Sequence, residues 1–183
     1  MHNIADITET LSEILNQKDP YTHLHSKRVT GYAKKIAEAM ELNPETFKTI
    51  IYGGLLHDIG KIYISKKLLL KPGPLTGEEF NIIQKHAKIG YMMLNNLNYF
   101  DNEKQIILYH HERFDGSGYP YGLHSDNIPI NARILAVCDV YDAMTSDRPY
   151  RKALSSETAL TELNNNKGIL FDPDVVNTFS SLF

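Results

Sequence analysis

The 183-residue sequence has a single cysteine, Cys138, which excludes an intramolecular disulfide framework. It has no uncharged apolar run of the length of a membrane span, and Asp6, Glu9 and Glu13 near the N-terminus argue against a secretory signal. Its formal net charge of −3 lacks the basic surplus of a DNA-binding domain. We therefore expect a cytoplasmic protein with no membrane span and no DNA partner, in which local cations hold any anionic ligand.

Strand-like alternation is also missing, whereas helical periodicity runs through almost the whole chain. Caps and prolines mark the predicted helix starts at Asp19-Pro20, Asn43-Pro44, Thr76, Asn102, Pro129, Ser155 and Pro173. Gly60 is predicted to end the helix that carries His57, the helix from Asn102 is predicted to reach about Glu112, and 62–75 is predicted to be irregular. The sequence thus indicates one all-α domain over residues 1–183, with a helix at 1–18 ahead of the main core.

Two short segments carry the chemistry, His57-Asp58-Ile59-Gly60-Lys61 and 110–120, and they hold three of the eight histidines. Imidazole nitrogens and carboxylate oxygens bind metal ions, and a lysine beside them can hold a phosphate oxygen. Adjacent helical side chains such as His110 and His111 point about 100° apart, so they suit two neighbouring ions better than one. The pattern predicts a metal-dependent phosphohydrolase.

Further candidate ligands lie elsewhere in the chain. Asp139 falls in the most apolar predicted helix, where a carboxylate needs a partner such as a metal, a cap or a neighbouring helix end. His86, on a helix of its own, is a weaker candidate. His23 and His25 do not share a helix face, so one can be a ligand and the other is expected at the surface.

These residues resemble a known family. The His57-Asp58 pair with Lys61 resembles the signature of the HD phosphohydrolase superfamily, and segment 110–120 resembles the longer motif of its HD-GYP subfamily. The similarity extends from about Asp19 to Phe179. The resemblance implies an all-helical fold with a bi- or trinuclear metal site inside the helical core, usually of iron or manganese. It also implies hydrolysis of cyclic di-GMP to pGpG or GMP by metal-activated water.

The resemblance also implies roles for individual residues. The implied metal ligands are His25, His57, Asp58, His86, His110, His111 and Asp139. Asp58 and Lys61 are the implied catalytic residues, and the implied substrate contacts are Lys61, Tyr119, Arg148 and Arg151. Asp142, Glu112 and Asp115 are expected to orient ligand histidines. The alternatives are loop capping for Glu112 and Asp115, a turn position for Tyr119, and a solvated basic turn for the two arginines.

One departure from the family pattern concerns the number of metals. Members with three metals have a glutamate one helical turn before the first ligand histidine, and Tyr21 stands at that position here. A phenol with an ordinary pKa of about 10 is a poor metal ligand. We therefore predict a site for two divalent ions.

Other functions remain open from the sequence. The substrate could be another cyclic dinucleotide such as cyclic GMP-AMP. The chain could also be a low-turnover cyclic-dinucleotide receptor that acts through a protein partner such as a diguanylate cyclase, and the apolar first helix could support a homodimer. A di-iron oxygenase is disfavoured because Lys61 and the basic stretch 148–152 suit phosphates.

Overall fold

The computed structural model describes residues 3–97, 99–147 and 152–183. Within these ranges the α-helices are α1 (Ile4–Lys18), α2 (Pro20–Ala39), α3 (Pro44–Leu56), α4 (Lys66–Leu69), α5 (Gly77–Asn95), α6 (Glu103–Tyr109), α7 (Ile130–Thr145), α8 (Ser156–Asn165) and α9 (Pro173–Leu182). Short 3-10 helices cover Ile59–Tyr63 and Ser125–Asn127. The described residues form two isolated β-bridges and no strand, which confirms the predicted all-α class.

The predicted helix starts are confirmed, and all except those of α6 and α7 have a side-chain cap. The Asp19 side chain accepts a hydrogen bond from the Thr22 amide, and Pro20 opens α2. Asn43 caps α3 in the same way. Thr76 and Glu79 form the reciprocal capping box at the start of α5. Each cap satisfies amides that the helix itself cannot pair, so these local signals define where the helices begin.

Two predicted helix ends are wrong. Helix α3 ends at Leu56, before His57 rather than at Gly60, and α6 ends at Tyr109, before the two histidines. Gly60 instead packs against α5, because a Cβ at this position would lie 2.0 Å from the backbone oxygen of His86. The segment 62–75, predicted to be irregular, contains the short helix α4. The pairs His57-Asp58 and His110-His111 therefore both lie in tight turns just beyond a helix.

Two apolar clusters hold the helices together. The larger one joins α2, α3 and α6–α9, with fully buried side chains such as Val29, Ile134 and Phe179. The smaller one packs Leu15 of α1 against Leu56, Ile59 and residues of α5. Helix α1 therefore covers part of the core. No described helix combines the length and the apolar character needed to cross a bilayer.

Candidate metal centre

The seven predicted ligands come together at the junction of five segments. Helix α2 supplies His25, α5 supplies His86 and α7 supplies Asp139. The turn after α3 supplies the pair His57 and Asp58, and the turn after α6 supplies the pair His110 and His111. Five of the seven residues are at most 4% exposed, whereas the side chains of the other two, His111 and Asp139, are 17% and 14% exposed. The last two form the edge that is open to solvent.

The side chains form two overlapping groups with the spacing of metal ligands. Asp58, His86, His110 and His111 offer ligand atoms that lie within 4.8 Å of one another, and so do His25, His57 and Asp58. Asp58 belongs to both groups. Asp139 adjoins them, with Oδ1 at 3.0 Å from Nε2 of His25 and Oδ2 at 3.9 Å from Nδ1 of His111. The two candidate ligand groups therefore meet at a single carboxylate, that of Asp58.

Hydrogen bonds from Nδ1 fix the orientation of three of the histidine rings. Nδ1 of His57, His86 and His110 donates to the backbone oxygen three residues earlier, at 2.7, 2.7 and 2.9 Å. A carbonyl oxygen only accepts, so Nδ1 carries the hydrogen and Nε2 keeps its lone pair. Residues at i and i−3 are neighbours on a helix, so the contact is local: His57 and His110 make it just beyond a helix end, and His86 makes it within α5. Three Nε2 lone pairs therefore face the centre.

Several buried atoms at the centre lack the partners that burial normally requires. Nε2 of His57 and Oδ1 of Asp58 have no hydrogen-bond partner among the described residues. Nε2 of His86 and Nε2 of His110 face each other at 3.3 Å, although both are acceptors when Nδ1 carries the hydrogen. Buried groups of this kind cost free energy unless something else satisfies them. Divalent metal ions held by these residues would satisfy such atoms, so the residues fit a metal centre.

Burial keeps most of these histidines neutral. It lowers the pKa of His57, lowers that of His86 to about 4, and lowers those of His110 and His111 well below the ordinary value. Asp58 behaves differently: burial would raise its pKa, but nearby Lys61 and the histidines hold it well below the ordinary value. Neutral imidazoles around an ionised carboxylate are the protonation states in which these groups bind metals.

His25 is held by two carboxylates. Its Nδ1 lies 2.7 Å from Oδ2 of Asp142, and Asp142 also accepts hydrogen bonds from Nε and Nη2 of Arg28 at 2.7 and 2.9 Å. Burial would lower the pKa of His25, but the bonds to Asp139 and Asp142 outweigh it and raise the pKa to about 9. Asp142 therefore makes the contact that an orienting carboxylate needs. Sequence reasoning missed Arg28, although its position three residues after His25 places it on the same helix face.

A cavity of about 800 Å³ opens above the metal-ligand cluster. Lys61 and Tyr119, two of the four predicted substrate contacts, line it. Nζ of Lys61 lies 2.6 Å from Oδ2 of Asp58, and the ring of Tyr119 packs on that of His111 with centroids 4.7 Å apart. Much of the remaining wall is apolar and comes from residues 68–83, among them Leu75 and Phe80. The volume falls within the range of pockets that enclose small ligands.

Three sets of expected residues lie elsewhere or bind differently. Glu112 is buried, but its two carboxylate oxygens accept hydrogen bonds from the amides of Tyr121 and Leu123 at 2.8 and 3.0 Å. Asp115 accepts from the amide of Ser117 at 2.9 Å. These contacts support loop capping rather than the expected orientation of histidines. Arg148 and Arg151 lie outside the described residues.

His23 also differs from expectation. It was expected at the surface, but it is 6% exposed, and its Nδ1 lies 3.1 Å from Oγ of Ser12. The expectation was wrong because α1 covers this side of α2, a tertiary contact that the spacing of His23 and His25 does not reveal. Its partner shows that His23 joins α1 to α2, whereas His25 faces the ligand cluster.

Comparisons with known proteins agree with this geometry. The family model described as HD domain matches residues 9–175. The chain is 42% identical over 181 residues to a cyclic di-GMP phosphodiesterase of Thermotoga maritima, covering 98% of this chain and 49% of that protein. It is 43% identical over 174 residues to the cyclic di-GMP phosphodiesterase response regulator RpfG of Xanthomonas campestris, covering 92% of this chain and 46% of that protein. The chain thus spans about half the length of these curated relatives.

A solved structure gives the same result in three dimensions. The cyclic GMP-AMP-specific phosphodiesterase V-cGAP3 of Vibrio cholerae superimposes with a TM-score of 0.62 at 29% identity, over 97% of this chain and 40% of that one. The family match covers most of the chain and includes the His57-Asp58 pair and segment 110–120. The chain therefore belongs to the HD domain family, in its HD-GYP branch.

Proposed function

We propose that the protein is a metal-dependent phosphodiesterase that hydrolyses cyclic di-GMP to pGpG, GMP or both by metal-activated water. The observation that carries the proposal is the pair of overlapping ligand groups sharing Asp58 beneath the 800 Å³ cavity. Two relatives at 42% and 43% identity are named as phosphodiesterases of this messenger. A pair of metals beneath a ligand-sized cavity is the usual arrangement for splitting a phosphodiester.

The proposed metal ligands are the seven residues of the cluster: His25, His57, Asp58, His86, His110, His111 and Asp139. When bound, two divalent ions would supply a water of lowered pKa and positive charge for the phosphoryl oxygens. Because imidazole and carboxylate ligands suit iron and manganese, we propose one of these two metals. Tyr21 lines the cavity and stands in the sequence where family members with three metals have a glutamate. Because a phenol is a poor metal ligand, we propose two ions rather than three.

The other residues of the site would bind and orient the substrate. The Lys61 ammonium group, 21% exposed at the cavity floor, is placed to bind a non-bridging phosphoryl oxygen and to stabilise charge that develops there. Tyr119 offers a ring face for a base or a hydroxyl group for a phosphate. Asp142 would hold the ring of His25 in place, with Arg28 fixing Asp142 in turn. We retain Arg148 and Arg151 as proposed phosphate or guanine contacts on sequence grounds.

A second substrate is favoured by one comparison. V-cGAP3 is described as specific for cyclic GMP-AMP and matches 97% of this chain. Hydrolysis of cyclic di-GMP and cyclic GMP-AMP at equal concentrations, followed by chromatography, distinguishes the two. The same chromatogram identifies the product, because pGpG and GMP separate by charge.

Partners and location are also proposals. We propose a cytoplasmic protein, since cyclic dinucleotides are intracellular messengers. A regulatory protein partner such as a diguanylate cyclase, or a second copy of the chain, would supply control. Size-exclusion chromatography at several protein concentrations tests the homodimer.

The proposal is tested by Asp58→Ala in anaerobically purified protein. We expect the variant to lose bound metal and to hydrolyse cyclic di-GMP at least about a hundredfold more slowly, because both ligand groups need Asp58. Asp101→Ala is the matched control, since Asp101 pairs with Lys104 at 2.7 Å and i,i+3 spacing, as Asp58 pairs with Lys61, but is 76% exposed. Metal analysis and product chromatography give the result. Full activity of Asp58→Ala would refute the proposed function.

A further inference from the structure

The cavity contains one acidic side chain that the metal centre does not use. Among the described residues that line it, the carboxylates are Asp19, Asp58 and Asp139. The last two belong to the proposed ligand set, which leaves Asp19 for another role. Segment 148–151 has the sequence Arg-Pro-Tyr-Arg, so it brings no further carboxylate to the site.

The surroundings of Asp19 hold its side chain in a fixed position. Asp19 is 9% exposed, and its backbone N–H donates to the Leu15 oxygen at the end of α1. Its Oδ1 accepts from the amide of Thr22 at 3.3 Å, and its Oδ2 accepts from the Thr22 hydroxyl at 2.7 Å. A carboxylate has about four acceptor positions, so each oxygen can accept one more hydrogen bond. Asp19 is a rigid double acceptor at the wall of the cavity.

Asp19 lies at a suitable distance from the metal centre for a nucleobase. Asp19, Thr22 and His25 follow one another at intervals of three along α2, and all three line the cavity. Six residues of helix correspond to a rise of about 9 Å between Asp19 and His25. A nucleotide with its phosphate at the ligand cluster can therefore extend its base towards the first turn of α2.

We propose that Asp19 is a specificity-determining residue that accepts hydrogen bonds from N1–H and the N2 amino group of one guanine of the substrate. Guanine presents two adjacent donors on this edge, and a carboxylate presents two adjacent acceptors. Adenine has an acceptor, N1, and a C–H group at the corresponding positions, so its N1 would face the negative charge without a proton between them. A site built to bind such donors discriminates strongly against a base that lacks them. This inference rests on the proposed function, because it takes a cyclic dinucleotide as the substrate.

The other described residues that line the cavity indicate that only one of the two bases is selected as guanine. The residues from 68 to 83 that line the cavity are Leu68, Leu69, Leu70, Lys71, Gly73, Pro74, Leu75, Phe80 and Ile83. Lys71 is the charged member of this set, and its Nζ is bound to Glu79 at 2.6 Å. Apolar side chains hold the face of a base of either type. One guanine would therefore be recognised and the second base tolerated, so cyclic di-GMP and cyclic GMP-AMP should both be accepted and cyclic di-AMP rejected.

The test uses Asp19→Asn in the full chain. Asparagine caps helices as well as aspartate does, so α2 keeps its start, but one acceptor becomes an amino group that faces the guanine donors. We expect kcat/KM for cyclic di-GMP to fall at least about tenfold more than kcat/KM for bis(p-nitrophenyl) phosphate, a diester without a base. Asp172→Asn is the matched control, because Asp172 is another buried aspartate cap, at the start of α9. For Asp172→Asn, the ratio of kcat/KM for cyclic di-GMP to kcat/KM for bis(p-nitrophenyl) phosphate should equal that of the wild type.

Equilibrium binding of GMP and AMP provides a second measurement that needs no turnover. The wild type should bind GMP more tightly than AMP, and Asp19→Asn should lose that preference. Equal affinities in the wild type, or an equal loss of activity on both diesters in the variant, would overturn the guanine contact. A wild type that prefers GMP but does not hydrolyse cyclic di-GMP would instead overturn the proposed function.

Discussion

At the residue scale, the geometry of the candidate metal centre depends on the group that binds Nδ1 of each ligand histidine. Three histidines donate to the carbonyl oxygen three residues earlier, whereas His25 is bound by the carboxylate of Asp142. A carboxylate partner makes the ring more basic than a carbonyl does and fixes its tautomer. Burial lowers the pKa of both His25 and His86, but the bonds to Asp139 and Asp142 outweigh it at His25 and raise that pKa to about 9, whereas burial prevails at His86 and lowers its pKa to about 4. His25 is therefore the ligand most sensitive to its support.

This sensitivity predicts the effect of Asp142→Asn. The substitution keeps the shape of the side chain but removes the charge that holds His25 and pairs with Arg28. Support of this kind is worth about 10–100-fold in metal affinity. We expect a loss of this size in a manganese titration by calorimetry. Asp126→Asn is the control, because Asp126 also pairs with an arginine, Arg133, but is 90% exposed. Unchanged affinity in Asp142→Asn would show that His25 keeps its orientation without the charge of Asp142.

Sequence reasoning identified the ligand residue types but not every partner. The His57-Asp58 and His110-His111 pairs are visible because their members are adjacent in sequence. The bond between His25 and Asp142 joins residues 117 positions apart, so the orienting role of Asp142 was expected from the family resemblance and not from a local pattern. For Glu112 two roles were open from the sequence, orienting a histidine or capping a loop, and its bonds to loop amides support the second. Arg113, which lies over the ring of Phe171 at 5.3 Å, was also missed.

At the element scale, the close approach of two segments positions the ligands. The turn that carries His57 and Asp58 packs on α5, which carries His86. A Cβ on Gly60 would lie 2.0 Å from the His86 oxygen and 2.7 Å from the Gly90 nitrogen. Backbone atoms cannot move aside as a side-chain end can, so only glycine fits here. The distance between Asp58 and His86 depends on this contact.

Gly60→Ala should therefore damage both the fold and the centre. We expect a loss of about 3 kcal/mol in the free energy of unfolding, at the upper end of the cost of overpacking. Gly31→Ala is the control, because Gly31 lies in α2 with nothing within 4 Å of an added Cβ. Alanine in a helix interior should stabilise the protein by about 0.5–1 kcal/mol. Urea unfolding of the three proteins measures both values. A Gly60→Ala variant as stable as the wild type would show that α5 can shift without cost.

Helix starts were predictable from sequence, whereas helix ends were not. Starts at Asp19, Asn43 and Thr76 carry side-chain caps that act within three residues. The ends at Leu56 and Tyr109 have no such local signal. At both ends the chain turns so that the polar side chains that follow lie in the ligand cluster. Tertiary contacts decide such ends, and Gly60 was misread as a stop for this reason.

At the scale of the whole molecule, the protein buries several ionisable groups in one cluster. His57, His86, His110 and Asp58 are all at most 1% exposed. Their pKa shifts are differences between the folded and unfolded chains, so they make the stability depend on pH. Because the shifts have opposite signs, the metal-free protein should be most stable in a narrow range.

The predicted stability maximum lies near pH 6.5 in the presence of a chelator. In the unfolded chain His86 takes up a proton below pH 6.5, the ordinary pKa of histidine, whereas in the folded chain it stays neutral down to about pH 4. Because the unfolded chain binds more protons in this range, stability falls as the pH falls. His57, His110 and His111 add to this loss, since their pKa values are also lowered. His25 acts in the opposite direction: its contribution is complete below 6.5 and is lost as the pH rises to about 9.

Melting temperatures between pH 5 and pH 9 test both limbs, with two variants to separate them. His25→Asn should flatten the alkaline limb, because the group with the raised pKa is gone, and His86→Gln should make the acidic limb shallower. His124→Gln, which changes an exposed histidine, should reproduce the wild-type curve. If His25→Asn keeps the full loss between pH 6.5 and pH 9, the two carboxylates around His25 do not stabilise its protonated form. The alkaline loss must then come from groups outside the metal centre.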